Sequence, residues 1–350
     1  MKIAIVAPPF IPVPPPRYGG TELFVAHLAR TLHARGHSLV VYANGESQLP
    51  CEVRSLHQTA EWPIVNEQRC LMLQMDHVAW AVADICAGDA DVVHVNDALA
   101  IPLTRFIRPR RTVLTIHHPY EPALSELYSR HPDVHYVAIS AAQASRETMV
   151  NLSVIHHGIE LDEYFVSTEP RRYLAFLGRI APCKGVREAI DVAHRTGIPL
   201  KIAGEIQPLF RTYWEKEVRP LVDGRNVEYV GEADLPAKNE LLAGASALLF
   251  PIQWEEPFGL VMIEAMACGT PVIALRRGSV PEVIDPGVTG WICRDVDEMA
   301  EVALTQKIDP TVCRQRAEER FSVQRMADDY ERLYAEITEG EALMGSWVAG

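Results

Sequence analysis

The most informative stretch of this sequence reads Glu256-Pro257-Phe258-Gly259-Leu260-Val261-Met262-Ile263-Glu264-Ala265-Met266-Ala267-Cys268-Gly269-Thr270-Pro271-Val272. Two carboxylates, Glu256 and Glu264, stand eight positions apart and bracket the predicted start of a helix. Pro257 favours a helix opening, and Gly259 and Leu260 would present unpaired backbone N–H groups beside the positive end of the helix dipole. Such a helix start suits an anion such as a diphosphate. Because helical side chains lean toward the N-terminus, Glu264 would hydrogen-bond ribose hydroxyls near the start of the helix. Glu256, in the preceding loop, would hydrogen-bond sugar hydroxyls.

A pair of glutamates by itself has a simpler explanation. Glu256 would complement the helix dipole, and Glu264 would be a solvated helical charge. The surrounding residues favour the functional reading, because the whole stretch resembles the E-x7-E motif of retaining glycosyltransferases of family 4, which have the GT-B fold. The Pro-Phe-Gly after Glu256 and the trailing Ala-Cys-Gly-Thr-Pro-Val agree with that motif as well.

The composition indicates a globular chain. With 350 residues, 48% hydrophobic and 23% charged, the chain is long enough for two domains with separate cores. The nearest approach to a membrane span, residues 241–252, falls short of the roughly 18 apolar residues required. Residues 1–7 are followed by two prolines and read as a first strand rather than a signal peptide. We therefore expect a cytoplasmic protein with no integral membrane segment.

Charge and cysteine content narrow the possible partners. A formal charge of −13 disfavours nucleic-acid backbones and anionic lipid surfaces. The basic cluster at residues 108–111 precedes a predicted strand and is interpreted as a solvated loop. Seven scattered cysteines form no C-x-x-C pair, which argues against a disulfide framework and a structural zinc site.

Short apolar segments alternate with amphipathic ones, which predicts an α/β fold with two doubly wound parallel sheets. The clearest helix covers residues 21–34, with Gly36 placed to terminate it. The predicted strands of the first sheet are residues 3–7, 39–43, 92–95, 113–116 and 137–139. Those of the second sheet are residues 173–177, 200–203, 227–230, 247–250 and 272–274.

A polar linker places the domain boundary near residue 165. The sequence thus divides into a first Rossmann-like domain, residues 1–165, and a second, residues 166–322. The resemblance to GT-B enzymes implies that the first domain lies on the acceptor side, that the second binds the nucleotide sugar, and that the two face a central cleft. It also implies that the C-terminal helix, within residues 323–350, packs back on the first domain.

The second domain opens with two cations in the loop after its first strand. Arg179 follows Gly178, and Lys184 stands five positions further on. Arg179 can contact a phosphate bidentately and Lys184 can act as a point charge, so that both would stabilise a departing diphosphate. Two surface cations are the alternative; the segment is similar to the family's G-R-x-x-x-x-K-G element, and this resemblance assigns both residues to the diphosphate.

Further candidates end the next two strands. Gly204 and the segment containing Val230 and Glu232 come at the carboxyl edge of the sheet, where open α/β sheets bind ligands. The resemblance assigns them to the nucleobase, and ordinary glycine turns are the alternative. The later Gly278-Ser279-Val280-Pro281-Glu282 run matches a family element that we interpret as structural.

In the first domain, Gly19 and Gly20 precede a helix after a proline-rich loop, and glycines there let the backbone approach a phosphate closely. The resemblance places this pair beside the donor diphosphate, and a plain helix entry is the alternative. It also makes His117, after a predicted strand, the candidate beside the transferred sugar, with His118 as the fallback. Asp97 is a further candidate, on the acceptor side.

One competing motif, Asp295-Val296-Asp297, imitates the D-x-D metal site of GT-A glycosyltransferases. Asp295 with Glu298 has the form of a helix capping pair, which we favour. We therefore expect no catalytic metal and no cofactor besides the nucleotide-sugar donor.

The resemblance implies a retaining, metal-independent glycosyltransferase, with Glu256 positioning the sugar rather than attacking it. UDP is the favoured nucleotide, glucose the guessed sugar, and a small soluble molecule or saccharide the expected acceptor. A sugar-nucleotide 2-epimerase on the same fold is the first alternative, and isomerisation of the donor alone would reveal it. A glycosidase with two carboxylates is a second, for which a phosphate-binding helix start has no purpose. A non-catalytic nucleotide-binding module is a third.

Overall fold

The computed structural model describes residues 1–17, 19–107, 111–305 and 307–348. Arg108, Pro109 and Arg110 of the basic cluster lie outside these residues. The chain forms two compact units, one made of Met1–Gly158 with the residues from Val323 onward and the other made of Ile159–Ser322.

The first unit is built on seven parallel strands in the order β3-β2-β1-β4-β5-β6-β7. Its central strands are rich in valine and isoleucine and are buried along most of their length, as expected for a sheet covered on both faces. The strands are β1 (Lys2–Val6), β2 (Ser38–Tyr42), β3 (Glu52–Arg54), β4 (Val92–Val95), β5 (Thr112–Ile116), β6 (His135–Ala138) and β7 (Leu152–Val154). The helices are α1 (Gly20–Ala34), α2 (Glu67–Ala87), α3 (Pro122–Ser129) and α4 (Ala141–Ala144), with a 3-10 segment at Ala98–Phe106.

The second unit has six parallel strands in the order β10-β9-β8-β11-β12-β13. They are β8 (Tyr173–Leu177), β9 (Leu200–Ala203), β10 (Val227–Gly231), β11 (Ala245–Phe250), β12 (Val272–Leu275) and β13 (Gly290–Cys293). The helices are α5 (Val186–Thr196), α6 (Arg211–Tyr213), α7 (Leu235–Ala243), α8 (Leu260–Ala267), α9 (Val280–Val283), α10 (Val296–Thr305) and α11 (Pro310–Arg320). A π-helical turn, Trp214–Val218, follows α6.

The predicted α/β class with two doubly wound parallel sheets is confirmed, and each predicted strand matches an observed one. Three strands were missed: β3, β7 and β13. All three lie at sheet edges, and β3 and β7 have only three residues each, most of them not fully buried, so they lack the continuous apolar run of a central strand. Gly36 follows α1 with a φ of 87°, a left-handed conformation that ends a helix at little cost.

The segment between the two sheets belongs to the second unit. Ile159 forms a β-bridge with Ser322, and the backbone carbonyl of Tyr164 accepts a hydrogen bond from Arg314. The compact units therefore divide after Gly158, a few residues before the predicted boundary at 165.

The last helix, α12 (Val323–Val348), packs against α1 within the first unit. Tyr330 and Tyr334 are fully buried there, and the Tyr334 hydroxyl hydrogen-bonds to His94 at 2.6 Å. Arg35, just after α1, pairs with Glu331 of α12. An apolar seam with a buried polar network thus holds the chain's C-terminal helix on the first sheet.

Each sheet has a point where the strand order reverses, between β1 and β4 in the first and between β8 and β11 in the second. Loops that leave the carboxyl ends of these strands diverge to opposite faces and form a crevice, the usual ligand site of open α/β sheets.

One of the described helices, α2, is long and apolar enough to cross a membrane by length and composition. An 18-residue window of it has a mean hydropathy of 1.2, and 28% of that window is buried. Polar residues interrupt the apolar ones along α2, so its sequence contains no uninterrupted apolar run that predicts a span.

Candidate functional site

The crevice of the second sheet is bounded by the loops after β8 and β11, which touch. Gly185 has a φ of 75°, and a Cβ built on it would lie 1.9 Å from the carbonyl oxygen of Pro251. The backbone N–H of Gln253 donates to the carbonyl of Cys183 at 2.8 Å. Only glycine permits this approach, which brings the cation of one loop to the carboxylate of the other.

That cation and carboxylate are Lys184 and Glu256. Lys184 Nζ lies 2.5 Å from Glu256 Oε2, and the indole N–H of Trp254 donates to the same oxygen at 2.7 Å. Lys184 also lies over the Trp254 ring, 4.8 Å from its centroid. The family resemblance assigns Lys184 to a diphosphate and Glu256 to a sugar, but it predicts neither their ion pair nor the contact with Trp254.

The loop that carries Glu256 packs against the backbone of Gly278 and Ser279. A Cβ on Gly278 would lie 2.2 Å from the Glu256 carbonyl oxygen, and the backbone N–H of Ser279 donates to that oxygen at 3.0 Å. The Ser279 hydroxyl donates to the carbonyl of Phe258 at 2.7 Å. These contacts agree with the structural interpretation of the Gly278–Glu282 run.

Helix α8 begins at Leu260, with Gly259 as its N-cap at a φ of 81°. The helix therefore starts three residues later than Pro257, which stays in the loop. The Phe258 side chain is buried and packs edge-on against Phe321, so the structure gives it a role in the core. The positive end of the dipole lies at Gly259 and Leu260, as the sequence predicted for an anion site.

Glu264, in the second turn of α8, is held by two side chains that the sequence analysis did not identify as its partners. Its Oε1 accepts from Lys238 of α7 at 2.6 Å and from the Tyr164 hydroxyl at 3.0 Å. The Glu264 side chain is 5% exposed and the Lys238 side chain 15%. Burial and the adjacent carboxylate raise the pKa of Tyr164 well above 10, so it remains a donor. Both of these contacts are made to one carboxylate oxygen, Oε1.

Arg179 lies in the loop after β8. Its guanidinium donates weakly to Gln207 at 3.4 Å and lies 5.3 Å from the centroid of Phe210. Gln207 in turn donates to Glu205 at 2.9 Å. Among the described residues, none accepts a hydrogen bond from the buried Nε of Arg179. An arginine with an unsatisfied buried donor is suited to an incoming anion.

Gly178 and Gly204 bring the ends of β8 and β9 together. A Cβ on Gly204 would lie 1.8 Å from the Gly178 carbonyl oxygen, and the Tyr229 hydroxyl donates to the Gly204 carbonyl at 2.8 Å. Close backbone packing therefore explains Gly204 without any ligand. Val230 and Glu232 lie at the same edge with exposed side chains, where a base could rest.

In the first unit, Gly19 precedes α1 with a φ of 145°, and Gly20 is the first residue of the helix. A Cβ on Gly19 would lie 2.9 Å from Oε2 of Glu22. Glu22 is buried, and loss of hydration raises the pKa of its carboxyl to about 7. A partly protonated carboxyl thus lies beneath the glycine turn, which sequence reasoning did not anticipate.

His117 lies after β5, and its ring stacks on that of His157, with 5.5 Å between centroids. Its Nε2 donates to the Asn96 side chain at 2.9 Å, which leaves Nδ1 as an acceptor. Burial, and then the neighbouring imidazoles, hold the pKa of His117 well below 6.5, so the ring is neutral. The fallback candidate, His118, has both ring nitrogens engaged, one with the Pro119 carbonyl and one with the Tyr128 hydroxyl.

Two acidic residues serve as helix caps. Asp97, expected on the acceptor side, accepts from the backbone N–H of Leu99 and from Gln74. Asp295 accepts from the backbone N–H of Glu298 at 2.9 Å, so the predicted capping role is observed.

Two family models together match residues 18–318. "Glycosyltransferase Family 4" matches residues 18–163, and "Glycosyl transferases group 1" matches residues 160–318. A glycogen synthase of Mycobacterium tuberculosis is 30% identical, with 91% of this chain and 89% of the relative covered. N-acetyl-alpha-D-glucosaminyl L-malate synthase of Bacillus anthracis is 24% identical, with 92% and 95% covered. The solved structure of Anabaena HepE in complex with UDP-glucose has a TM-score of 0.74 at 20% identity, covering 96% of this chain and all of that one.

The two sheets and the matching families define a glycosyltransferase. This chain belongs to family 4 and has the GT-B fold.

Sequence reasoning missed Lys238, Tyr164 and Trp254. Trp254 stands two positions before Glu256 and could have been found by its proximity. Lys238 lies on another helix, and Tyr164 was interpreted only as part of a linker, so neither gave a local signal.

Proposed function

We propose that this glycosyltransferase moves a glucosyl unit from UDP-glucose to a hydroxyl of a small acceptor, with retention of anomeric configuration. One observation carries the donor site: Arg179, the Lys184–Glu256 pair and the start of α8 flank the switch point of the second sheet. HepE, a neighbour of the same fold, is described in complex with UDP-glucose, which supports UDP as the nucleotide.

The diphosphate would lie against Gly259 and Leu260, where backbone N–H groups and the helix dipole favour negative charge. Arg179 would offer its unsatisfied Nε. Lys184 carries three N–H donors, so it can keep Glu256 and still donate to a phosphate oxygen. Glu264 would accept hydrogen bonds from the ribose hydroxyls through Oε2, because Lys238 and Tyr164 both contact Oε1.

The sugar would lie beside Glu256, whose carboxylate is held in place by Lys184 and Trp254. Within the first unit, Nδ1 of the neutral His117 would accept a hydrogen bond from a substrate hydroxyl. Gly19 and Gly20 would let the backbone approach a phosphate. Val230 and Glu232 would border the base.

In the reaction, the bond between the anomeric carbon and the diphosphate breaks while the acceptor oxygen bonds to the same face of that carbon. A phosphate oxygen of the leaving UDP takes the acceptor proton. The positive groups stabilise charge that develops as UDP departs, so no protein base is required.

The proposal is tested by nucleotide binding and by product analysis. At 100 times its dissociation constant, UDP should stabilise the chain by about 2.7 kcal/mol and raise its melting temperature by several degrees, with GDP, ADP and dTDP less effective. Arg179→Gln should weaken UDP binding roughly 10- to 100-fold, the typical value for a hydrogen bond to a charged group.

Arg172→Gln is the matched control, because Arg172 is exposed just before β8. If no nucleotide shifts the melting temperature at millimolar concentration, or if both arginine variants behave alike, the donor-site proposal fails. Incubation with UDP-glucose and an acceptor, followed by NMR of the anomeric proton, checks the sugar and the retention.

A further inference from the structure

Apolar side chains are exposed around the start of α2 in the first unit. Val65 is 81% exposed and Met72 63%, and Trp62, Leu71 and Met75 are also exposed. Single exposed apolar residues are ordinary, but five within the first nine residues of α2 and the preceding loop form a patch.

Two of these side chains, Trp62 and Val65, line a pocket of about 270 Å³. Its apolar walls include Phe10, Trp62, Ile64, Val65 and Leu73. The volume is below the roughly 300–1,000 Å³ of sites that enclose a drug-sized ligand, so the pocket fits one part of a molecule, such as an aromatic ring or an alkyl chain.

The charges at the pocket are already paired. Arg69 donates to Glu61 through two hydrogen bonds, Nε to Oε2 at 3.0 Å and an NH2 nitrogen to Oε1 at 2.7 Å. The nearby Glu67 and Asp76 on α2 are acidic, and the whole chain carries a formal charge of −13. Neither a phosphate nor an anionic lipid surface is therefore favoured at this place.

The pocket lies beside the switch point of the first sheet. The Phe10 carbonyl, in the loop after β1, accepts from the backbone N–H of Glu61 at 3.1 Å. Gln74 of α2 donates to Asp97, just after β4, at 2.7 Å. These contacts tie the start of α2 to the two loops that bound the crevice where an open α/β sheet binds its ligand.

We propose that this pocket binds an aromatic or alkyl group of the acceptor, so that the acceptor is a soluble amphiphile with a hydroxylated end and an apolar end. This inference rests on the proposed transfer reaction. The apolar group is held by burial in the pocket.

The test uses the full chain and alkyl β-glucosides from methyl to octyl, each below its micellar concentration. Their affinities are measured by displacement of the neutral fluorophore N-phenyl-1-naphthylamine. Affinity should rise about fourfold for each added methylene until the pocket is filled. An affinity independent of chain length would overturn the proposal.

Val65→Glu should weaken hexyl glucoside binding at least tenfold. Val150→Glu, at an equally exposed valine of the same unit outside the pocket, should leave it unchanged. Trp62→Ala, which removes a wall without adding charge, should also weaken binding. Equal affinities in the Val65 and Val150 variants would contradict the assignment, provided that both melt at the wild-type temperature.

Two further outcomes separate the alternatives. Val65-dependent binding to phosphatidylcholine vesicles without affinity for monomeric glucosides would overturn the proposal and assign the patch to a bilayer.

The shift in melting temperature caused by UDP, measured on the same preparations, distinguishes failure of this inference from failure of the proposed transfer reaction. With the shift present and chain-length dependence absent, only the amphiphile inference fails. With the shift absent, the transfer reaction and the acceptor assignment fail together.

Discussion

Replacing Lys238 with methionine should leave a buried carboxylate without its counter-ion. Lys238 Nζ lies 2.6 Å from Glu264 Oε1, and the two side chains are 15% and 5% exposed. Removing one partner of a buried ion pair typically costs about 3–5 kcal/mol. The Tyr164 hydroxyl still donates to Glu264, so we expect a value near the lower end, about 3 kcal/mol.

Calorimetry should show this loss as a fall of roughly 6–12 °C in the melting temperature of the second unit, Ile159–Ser322. A domain of this size loses about 2–4 °C in melting temperature for each kcal/mol of stability. The double variant Lys238→Met/Glu264→Gln buries no charge and should recover to within about 1 kcal/mol of the wild type. Arg195→Met is the control, because Arg195 and Asp297 form an exposed pair in the same unit that should contribute less than about 1 kcal/mol.

The reasoning would be refuted if Lys238→Met cost no more than Arg195→Met. It would equally be refuted if the double variant were as unstable as the sum of its single changes, because the cost would then come from lost packing rather than from an orphaned charge.

Two further predictions concern a backbone approach and a buried acid. Gly185→Ala should destabilise the second unit by well over about 1 kcal/mol and weaken UDP binding, because the new Cβ would clash with the Pro251 carbonyl. Gly197→Ala, at the other end of α5 with a φ of 67° and open space around it, should cost only about 1 kcal/mol. Denaturant unfolding of both variants measures these costs, and equal costs would contradict the steric argument. The pKa of Glu22 in the folded protein is about 7, above its ordinary value of 4.5, so on raising the pH the unfolded state loses this proton first. The free energy of unfolding should therefore fall by about 3 kcal/mol between pH 4.5 and 7 and then level off. Unfolding free energies at pH 5 and 8 should show this fall in the wild type but not in Glu22→Gln, and an unchanged pH dependence in the variant would contradict it.

Much of this protein was predictable from local sequence. The central strands have continuous apolar runs because both faces of a parallel sheet are buried, and α1 has one apolar face and a terminal glycine, so their periodicity is local. The short edge strands β3 and β7 have no such run and were missed. Arg179, Lys184, Glu256 and Glu264 could be named as candidates from the sequence because they stand at fixed spacings within two segments.

The contacts of those residues were decided by the tertiary structure. Lys184 reaches Glu256 only because Gly185 lets two loops from neighbouring strands touch. Glu264 meets Lys238 and Tyr164 across 26 and 100 residues of chain. A side chain's distant partners depend on which strands and helices become neighbours, and that arrangement follows from packing the whole core rather than from any local pattern.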